Sequence, residues 1–377
     1  MEAMKISPIN NMDVKRRNRV NTLRCILSSE RVSQMELTRR LALSWPTILQ
    51  NVKELTELGL VREAGAYAST GGRKAKAYAP VRDARLAIGV DLTWDHVNVV
   101  LLDLSGSVLR QAKGALRFSQ DDIYFKYLVG LIRRFAETAG GTDRILGVGL
   151  SLPGIVDEER GLLRESHVLE LRNAPLSRFT QQFPWPCRVL NDANAAGLAE
   201  VYGGNFSEDM VYLSLGDAVG GAILRNGGFY MGDHLRAGEF GHSTLVPNGL
   251  RCYCGKEGCL DAYCSAKVLS GCAGGSLSAF FDDLRSGNPE KRQIWRKYLE
   301  YLSVAVNNLH VSFDCGVIVG GCVGTYLEEF GELLRALLAE RNTFEPDTSY
   351  LKFCRFSQEA AAVGAALVQI ETFLESI

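Results

Sequence analysis

Apolar residues fall at helical spacing in three short stretches near the N-terminus. Val20, Leu23, Ile26 and Leu27 predict a first helix over 14–29. Ser33-Gln34-Met35-Glu36 is a capping box that starts a second helix, which buries Leu37 and Leu41. Ser44 caps a third, where Pro46 is tolerated because first-turn amides lack an intrahelical partner. Ile48, Val52 and Leu55 face inward, and Gly59 ends this helix as a left-handed residue. Two short strands follow, near 60–63 and 76–79, around the glycine-rich basic stretch 65–74. Three compact helices and a basic hairpin make a winged helix-turn-helix over 1–80.

From Leu86 onward, longer apolar runs take over. Two strands joined by a turn lead past Gly106 to a third, then to a helix over 121–139. A buried strand from Ile145 ends at Pro153-Gly154. A second copy of this opening starts at Met210 and continues at Gly221. Helices are expected near 289–308 and 326–341, with the buried strand Val317-Ile-Val-Gly-Gly between them. A last helix, about 359–374, is expected to pack back on the first half.

Charge sharpens the division. Residues 1–80 carry a net +7 and the remainder a net −8, as a nucleic-acid-binding head on a sensor body would. The third helix turns Thr47, Gln50, Asn51 and Glu54 away from its apolar stripe, and Gln and Asn can pair bidentately with adenine. Ser44 and Thr47 sit at a helix N-terminus, which favours phosphate. Arg73, Lys74 and Lys76 on the wing would hold a backbone or enter a minor groove. A winged helix used only for protein contacts is the alternative. The chain is 46% apolar and 23% charged, an ordinary globular balance. It has no run of eighteen apolar residues and no apolar leader near Met1, so no membrane insertion and a cytosolic location are expected.

Cys252, Cys254, Cys259 and Cys264 crowd into thirteen residues, which in a cytosolic chain reads as a metal site before disulfides. His242 with Cys252, Cys254 and Cys259 gives one imidazole and three thiolates, a closed tetrahedral set for structural zinc. Buried free thiols are the alternative, and Cys264 falls outside the pattern.

Several motifs, taken together, resemble the ROK family of bacterial sugar kinases and sugar-responsive repressors. They are Leu213-Ser-Leu-Gly-Asp-Ala-Val-Gly-Gly, Ala237-Gly-Glu-Phe-Gly-His and Cys252-Tyr-Cys-Gly-Lys-Glu-Gly-Cys-Leu-Asp. Pro153-Gly154 and Asn191-Asp-Ala-Asn extend the likeness. The resemblance implies an α/β chain with an actin- and sugar-kinase-like (RNase H-like) two-domain body behind the winged helix. The first lobe would span 81–195 with 359–377 packed back on it, and the second 196–358 with the metal motif. It also places zinc on the four residues named above.

By the same resemblance, Asn191 binds a sugar hydroxyl and Asp192 matches the kinase base. Glu239, His242 and Asp261 match further hydroxyl ligands, with Asp261 where the kinases usually carry Glu. Pro153 and Gly154 complete the cleft. Such a ring suits a polyol, because each hydroxyl needs a donor and an acceptor. A helix N-cap is the alternative for Asp192 taken alone. The kinases' Asp-x-Gly-Gly-Thr turn reads Asp91-Leu-Thr-Trp-Asp95 here, and their Gly-Thr-Gly-x-Gly-Gly loop reads Gly216-Asp-Ala-Val-Gly-Gly221. A carboxylate stands where each phosphate-binding Thr belongs, so no ATP binding and no kinase activity are expected. Asp192 then remains as a sugar ligand.

The expectation is a transcriptional regulator, a repressor, that binds operator DNA and responds to a small sugar or sugar phosphate. It would act as a homodimer or tetramer. A sugar kinase with a DNA-binding head, and a repressor controlled by a transporter component, are the alternatives.

Overall fold

Ser33 and Ser44 start helices for the same reason: each hydroxyl accepts an amide hydrogen that the helix cannot use. Ser33 Oγ accepts from Glu36 N at 3.2 Å, and Ser44 Oγ from Thr47 N at 3.4 Å. The head consists of α1 (Asn11–Leu27), β1 (Val32–Ser33), α2 (Gln34–Leu41), α3 (Trp45–Glu57), β2 (Val61–Ala66) and β3 (Lys76–Pro80). The computed structural model describes residues 11–66, 76–203 and 208–377. The wing residues Arg73 and Lys74 lie outside the described residues. After α3, Gly59 has φ +72°, its amide donates to Thr56 O, and Leu60 N reaches back to Leu55 O. This pair of bonds satisfies the last carbonyls. The two-residue strand β1, too short to leave a sequence pattern, pairs Val32 with Tyr78 and completes a sheet of order β1-β3-β2.

The body opens with three antiparallel strands, β4 (Leu86–Leu92), β5 (His96–Asp103) and β6 (Val108–Ala115). Then come α4 (Asp122–Glu137), β7 (Ile145–Leu152), β8 (Ile155–Asp157), β9 (Leu162–Ser166), β10 (Leu171–Pro175), α5 (Ser177–Thr180) and β11 (Cys187–Asn191). The main sheet runs β11-β7-β4-β5-β6, while β8–β10 form a small sheet of their own. From Asn191 the chain turns directly into α6 (Asp192–Val201).

The second half repeats the pattern. Its strands are β12 (Met210–Leu215), β13 (Val219–Arg225) and β14 (Gly228–Phe229). Helices α7 (Asp261–Cys264), α8 (Ala266–Ser270), α9 (Leu277–Arg285) and α10 (Pro289–Phe313) precede β15 (Gly316–Gly320). The rest is α11 (Gly321–Gly324), α12 (Leu327–Phe330), α13 (Glu332–Ala339), β16 (Leu351–Phe353) and α14 (Ala360–Ser376). The sheet order β14-β13-β12-β15-β16 has the same sequence of antiparallel and parallel pairings as β6-β5-β4-β7-β11. The body is therefore an internal duplication of the actin and sugar-kinase type. The helix expected over 326–341 breaks at Gly331, where a side chain would strike Leu327 O and the Phe353 ring.

Two helices tie the molecule together. α14 lies between the first sheet and α6, so closely that a Cβ on Gly149 would stand 1.8 Å from Ala365 O. The head docks on the same helix: Leu23, Ile26 and Leu27 share one buried cluster with Val363, Leu367 and Leu374. Arg24 pairs with Glu371, and Arg82 donates to Leu27 O and Ser29 O at 3.1 Å each. Among the described residues, no helix is long and apolar enough to cross a membrane.

Candidate functional site

Helix α3, expected from the sequence to read DNA, presents fewer free polar groups than its sequence suggests. The expectation that Asn51 reads adenine is corrected by the structure. Asn51 is only 6% exposed, and its Nδ2 donates to Thr22 Oγ1 of α1 at 2.9 Å. It is a buried brace between helices, not a base reader. Gln50 is exposed but its Nε2 donates to Glu54 Oε1 at 2.7 Å, while Glu54 also pairs with Arg19. The Ser44 and Thr47 hydroxyls bond each other at 2.8 Å. Lys76 pairs with Glu63 across the wing at 2.6 Å. Changing Asn51 to Ala is expected to destabilise the head by roughly 1–3 kcal/mol, because Thr22 loses its buried donor. Sequence preference should survive. Thermal unfolding together with site selection from random duplex DNA checks both halves.

Asn191 and Asp192 stand where β11 runs into α6, and Glu239 of the second half is near enough for its charge to act on Asp192. Asn191 caps α6, with Oδ1 accepting from Asn194 N at 2.9 Å. Its Nδ2 donates to Gly154 O at 3.0 Å and to Asp192 Oδ1 at 2.9 Å. Both amide hydrogens are thus committed, so Asn191 can offer a ligand only its oxygen. Asp192 is the first helical residue and not the cap; its Oδ1 also accepts from Ala193 N at 2.9 Å. Burial, then the nearby Asp91 and Glu239 carboxylates, push the Asp192 carboxyl up to about 7. A carboxyl raised in this way can take up a proton more readily than an ordinary aspartate, so it can donate to a hydroxyl as well as accept from one. Gly154 lies where a Cβ would stand 2.3 Å from Glu165 O, so the glycine sets the shape of the cleft wall beside Pro153.

The second half supplies Glu239, exposed at the start of the short turn Phe240–His242. Asp261 is buried at the head of α7, where Oδ2 accepts from Val219 N at 2.6 Å and burial raises its carboxyl. One oxygen therefore supports the second phosphate-type loop. Two neighbours left no signal of their own in the sequence. Tyr253 Oη lies 3.3 Å from His242 Nε2, and its ring meets His167 of the first half edge-on at 5.8 Å. Tyr253 could have been suspected from its place between two cysteines.

His242, Cys252, Cys254 and Cys259 converge, with all ligand atoms within 4.8 Å of one another. His242 Nδ1 is 3.9 Å from Cys252 Sγ, and Cys254 Sγ is 3.7 Å from Cys259 Sγ. These four can hold a metal ion. Cys264 is buried in the core of the second half, outside the quartet.

The first phosphate-type turn closes on itself. Thr93 N donates to His96 O at 3.1 Å and His96 N to Thr93 Oγ1 at 3.2 Å. Asp95 Oδ1 stands 2.6 Å from His96 Nδ1, which holds its carboxyl below the usual range. Trp94 packs on the first core with Arg117 over its ring. Asp217 in the second turn is exposed.

Comparison with known proteins follows this geometry. The ROK family model matches residues 87–371, and a winged helix-turn-helix DNA-binding model matches 15–62. A xylose repressor of Caldicellulosiruptor bescii is 30% identical over 261 residues, 68% of this chain and 65% of that protein. An N-acetylglucosamine repressor of Shigella flexneri is 29% identical over 258 residues, 67% of this chain and 64% of that protein. The match thus spans slightly less than two thirds of these relatives. A solved ROK family transcriptional regulator, a homolog of the Escherichia coli MLC protein, superposes with TM-score 0.75. That alignment covers 97% of this chain and 100% of the other at 21% identity, a likeness of fold. A Streptomyces griseus ROK glucokinase, solved with glucose and AMPPNP, gives TM-score 0.62 at 26% identity, over 75% of this chain and 98% of that one.

Proposed function

The chain belongs to the ROK family, and we propose that it is a DNA-binding repressor whose kinase-like body senses a small sugar or sugar phosphate. One observation carries the reading: the head and the candidate sugar site meet on the same pair of packed helices. Asn191 and Asp192 stand at the N-terminus of α6, and Tyr202 follows its C-terminus. Tyr202 faces Glu371 of α14, which pairs with Arg24 of α1. A ligand that shifts α6 would thus move the contact that seats the DNA-binding head. Two heads reading a two-fold operator call for a homodimer or tetramer.

Kinase activity is absent in this reading. The Thr93–His96 turn engages the Thr93 and His96 amides internally, and Asp95 and Asp217 set negative charge where phosphate would approach. The metal quartet fits zinc. Tetrahedral ligands at about 2.0–2.3 Å from the ion lie about 3.3–3.8 Å apart; the Cys254–Cys259 pair at 3.7 Å matches this, and with all ligand atoms within 4.8 Å of one another the set needs only a small contraction. His242, Cys252, Cys254 and Cys259 would hold it, and a closed set supplies structure, not Lewis acidity. It would pin the turn that carries Glu239 beside the cleft.

The test has two stages. A panel of hexoses, amino sugars, pentoses, polyols and their phosphates is screened by thermal shift, since a ligand of the native state raises the melting temperature. The best ligand is then titrated against DNA selected from random duplexes. Affinity is expected to change about 5- to 150-fold at saturation. Asp192→Ala should abolish that change while leaving DNA binding intact. A ligand that binds the cleft yet leaves DNA affinity unchanged would sink sugar sensing and favour control by a protein partner such as a transporter component.

A further inference from the structure

The polar inventory of α3 is largely spent inside the head. Asn51 braces Thr22, Gln50 is tied to Glu54, and Thr47 is tied to Ser44. Beside its exposed Gln50, Lys53 and Glu57, α3 also offers two large apolar side chains outward. Trp45 is 50% exposed and Leu49 49% exposed, one helical turn apart on the same side of the helix. Neither belongs to the buried cluster that takes in Ile48, Val52 and Leu55, although Trp45 borders that arc. Basic side chains surround this pair in sequence: Lys15, Arg16 and Arg17 on α1, Arg39 and Arg40 on α2, and Lys53 on α3 are all exposed. Lys15 is near enough to α3 for its charge to act on Glu54.

Arg40 pairs with Glu36 and Lys53 with Glu57, but Lys15, Arg16, Arg17 and Arg39 leave exposed positive charge on the same small head, which suits a polyanion. Thymine is the base that puts an apolar group, its C5-methyl, in the major groove, where side chains make apolar contact with it. We propose that Trp45 and Leu49 are the specificity-determining residues of the recognition helix and that they read thymine methyl groups. The basic residues position the phosphates without choosing sequence. This rests on the DNA-binding part of the reading above, and it replaces the bidentate adenine contact that the buried Asn51 cannot make.

The experiment uses the full-length protein. A duplex is selected from a random-sequence pool, and each thymidine in it is then replaced singly by deoxyuridine, which removes only the methyl group. Wild-type protein is expected to lose roughly fourfold in affinity at each contacted methyl, the worth of one buried methyl group. The Trp45→Ala/Leu49→Ala variant should bind thymidine and deoxyuridine duplexes alike. Both side chains are half-buried, so the variant is expected to melt somewhat earlier than wild type, and binding is compared at a temperature where both proteins are folded. Indifference of the wild type to every deoxyuridine replacement would overturn the proposal while leaving DNA binding in place. Failure of the wild type to enrich any sequence would instead overturn the DNA-binding reading beneath it. A variant that keeps the wild-type deoxyuridine pattern but changes oligomeric state would assign the strip to a protein interface.

Discussion

Alanine at position 364 is expected to lower the melting temperature by roughly 10–15 °C. A Cβ on Gly364 would stand 1.6 Å from Ala195 O and 2.4 Å from Ala195 C. Both are backbone atoms of α6, so no side chain can swing aside; the helices must separate. α14 is held from its other face as well, where Gly89 and Gly149 bring the first sheet against Ala362 and Ala365. Overpacking a closed interior costs about 1–3 kcal/mol even when side chains can adjust. A backbone clash at a three-layer contact belongs at or above the top of that range, about 3–5 kcal/mol. For a body of this size each kcal/mol moves the midpoint by roughly 2–4 °C. Gly130, in the middle of α4, is the control. A Cβ there meets nothing within 4 Å, so Gly130→Ala should hold or gain stability by up to about 1 kcal/mol. Calorimetry on both variants decides the matter. A Gly364→Ala midpoint within about 2 °C of wild type would mean that α6 and α14 are not locked.

That lock also marks where the sequence falls silent. Local devices are legible in it. Ser33, Ser44 and Gly59 act within a few residues of themselves, and the structure puts each where its chemistry requires. The metal motif is nearly as local, with its three cysteines packed close behind His242. The duplication shows because each copy repeats apolar strand runs. Asn51 misleads because polarity is a weak guide to facing. It sits three residues after Ile48 and four before Leu55, on the buried arc, and its partner Thr22 lies in another helix. No window centred on α3 contains that bond. Gly149 and Gly364 are silent for the same reason, since each is required by a helix far away in sequence. The sheet β8–β10 escapes because its strands are three to five residues long and mix charged with apolar positions. Tyr202, Glu371 and Arg24 meet only once the last helix folds back on the head.

Cys254→Ser is expected to lose the zinc proposed for the quartet and with it the order of the turn from Glu239 to Cys259. Cys254 is one of the two less buried members, so the change should leave the core of the second half in place. The segment between His242 and Cys259 also has anchors that do not need the metal. They are the bridges Thr244–Cys259 and Arg251–Glu257, backbone bonds across the loop, Leu250 N donating to Tyr263 Oη at 2.6 Å, and Leu245 and Val246 packed on the second core. Metal binding to such a loop is folding energy for the loop, about 10–16 kcal/mol in isolated zinc modules. Loss of one thiolate should therefore loosen the part of the loop around Cys252–Glu257, which the core packing of Leu245 and Val246 does not reach. Wild-type protein should carry one equivalent of zinc per chain by elemental analysis, and Cys254→Ser close to none. Limited proteolysis should cut the variant between His242 and Cys259, where wild type resists. Sugar affinity should fall too, because Glu239 and His242 hang from the same turn. Cys264→Ala separates metal from packing: that thiol is buried outside the quartet, so the variant should melt earlier yet keep its zinc. Wild-type protein free of zinc, with a protease-resistant loop, would show that packing alone holds the four side chains together.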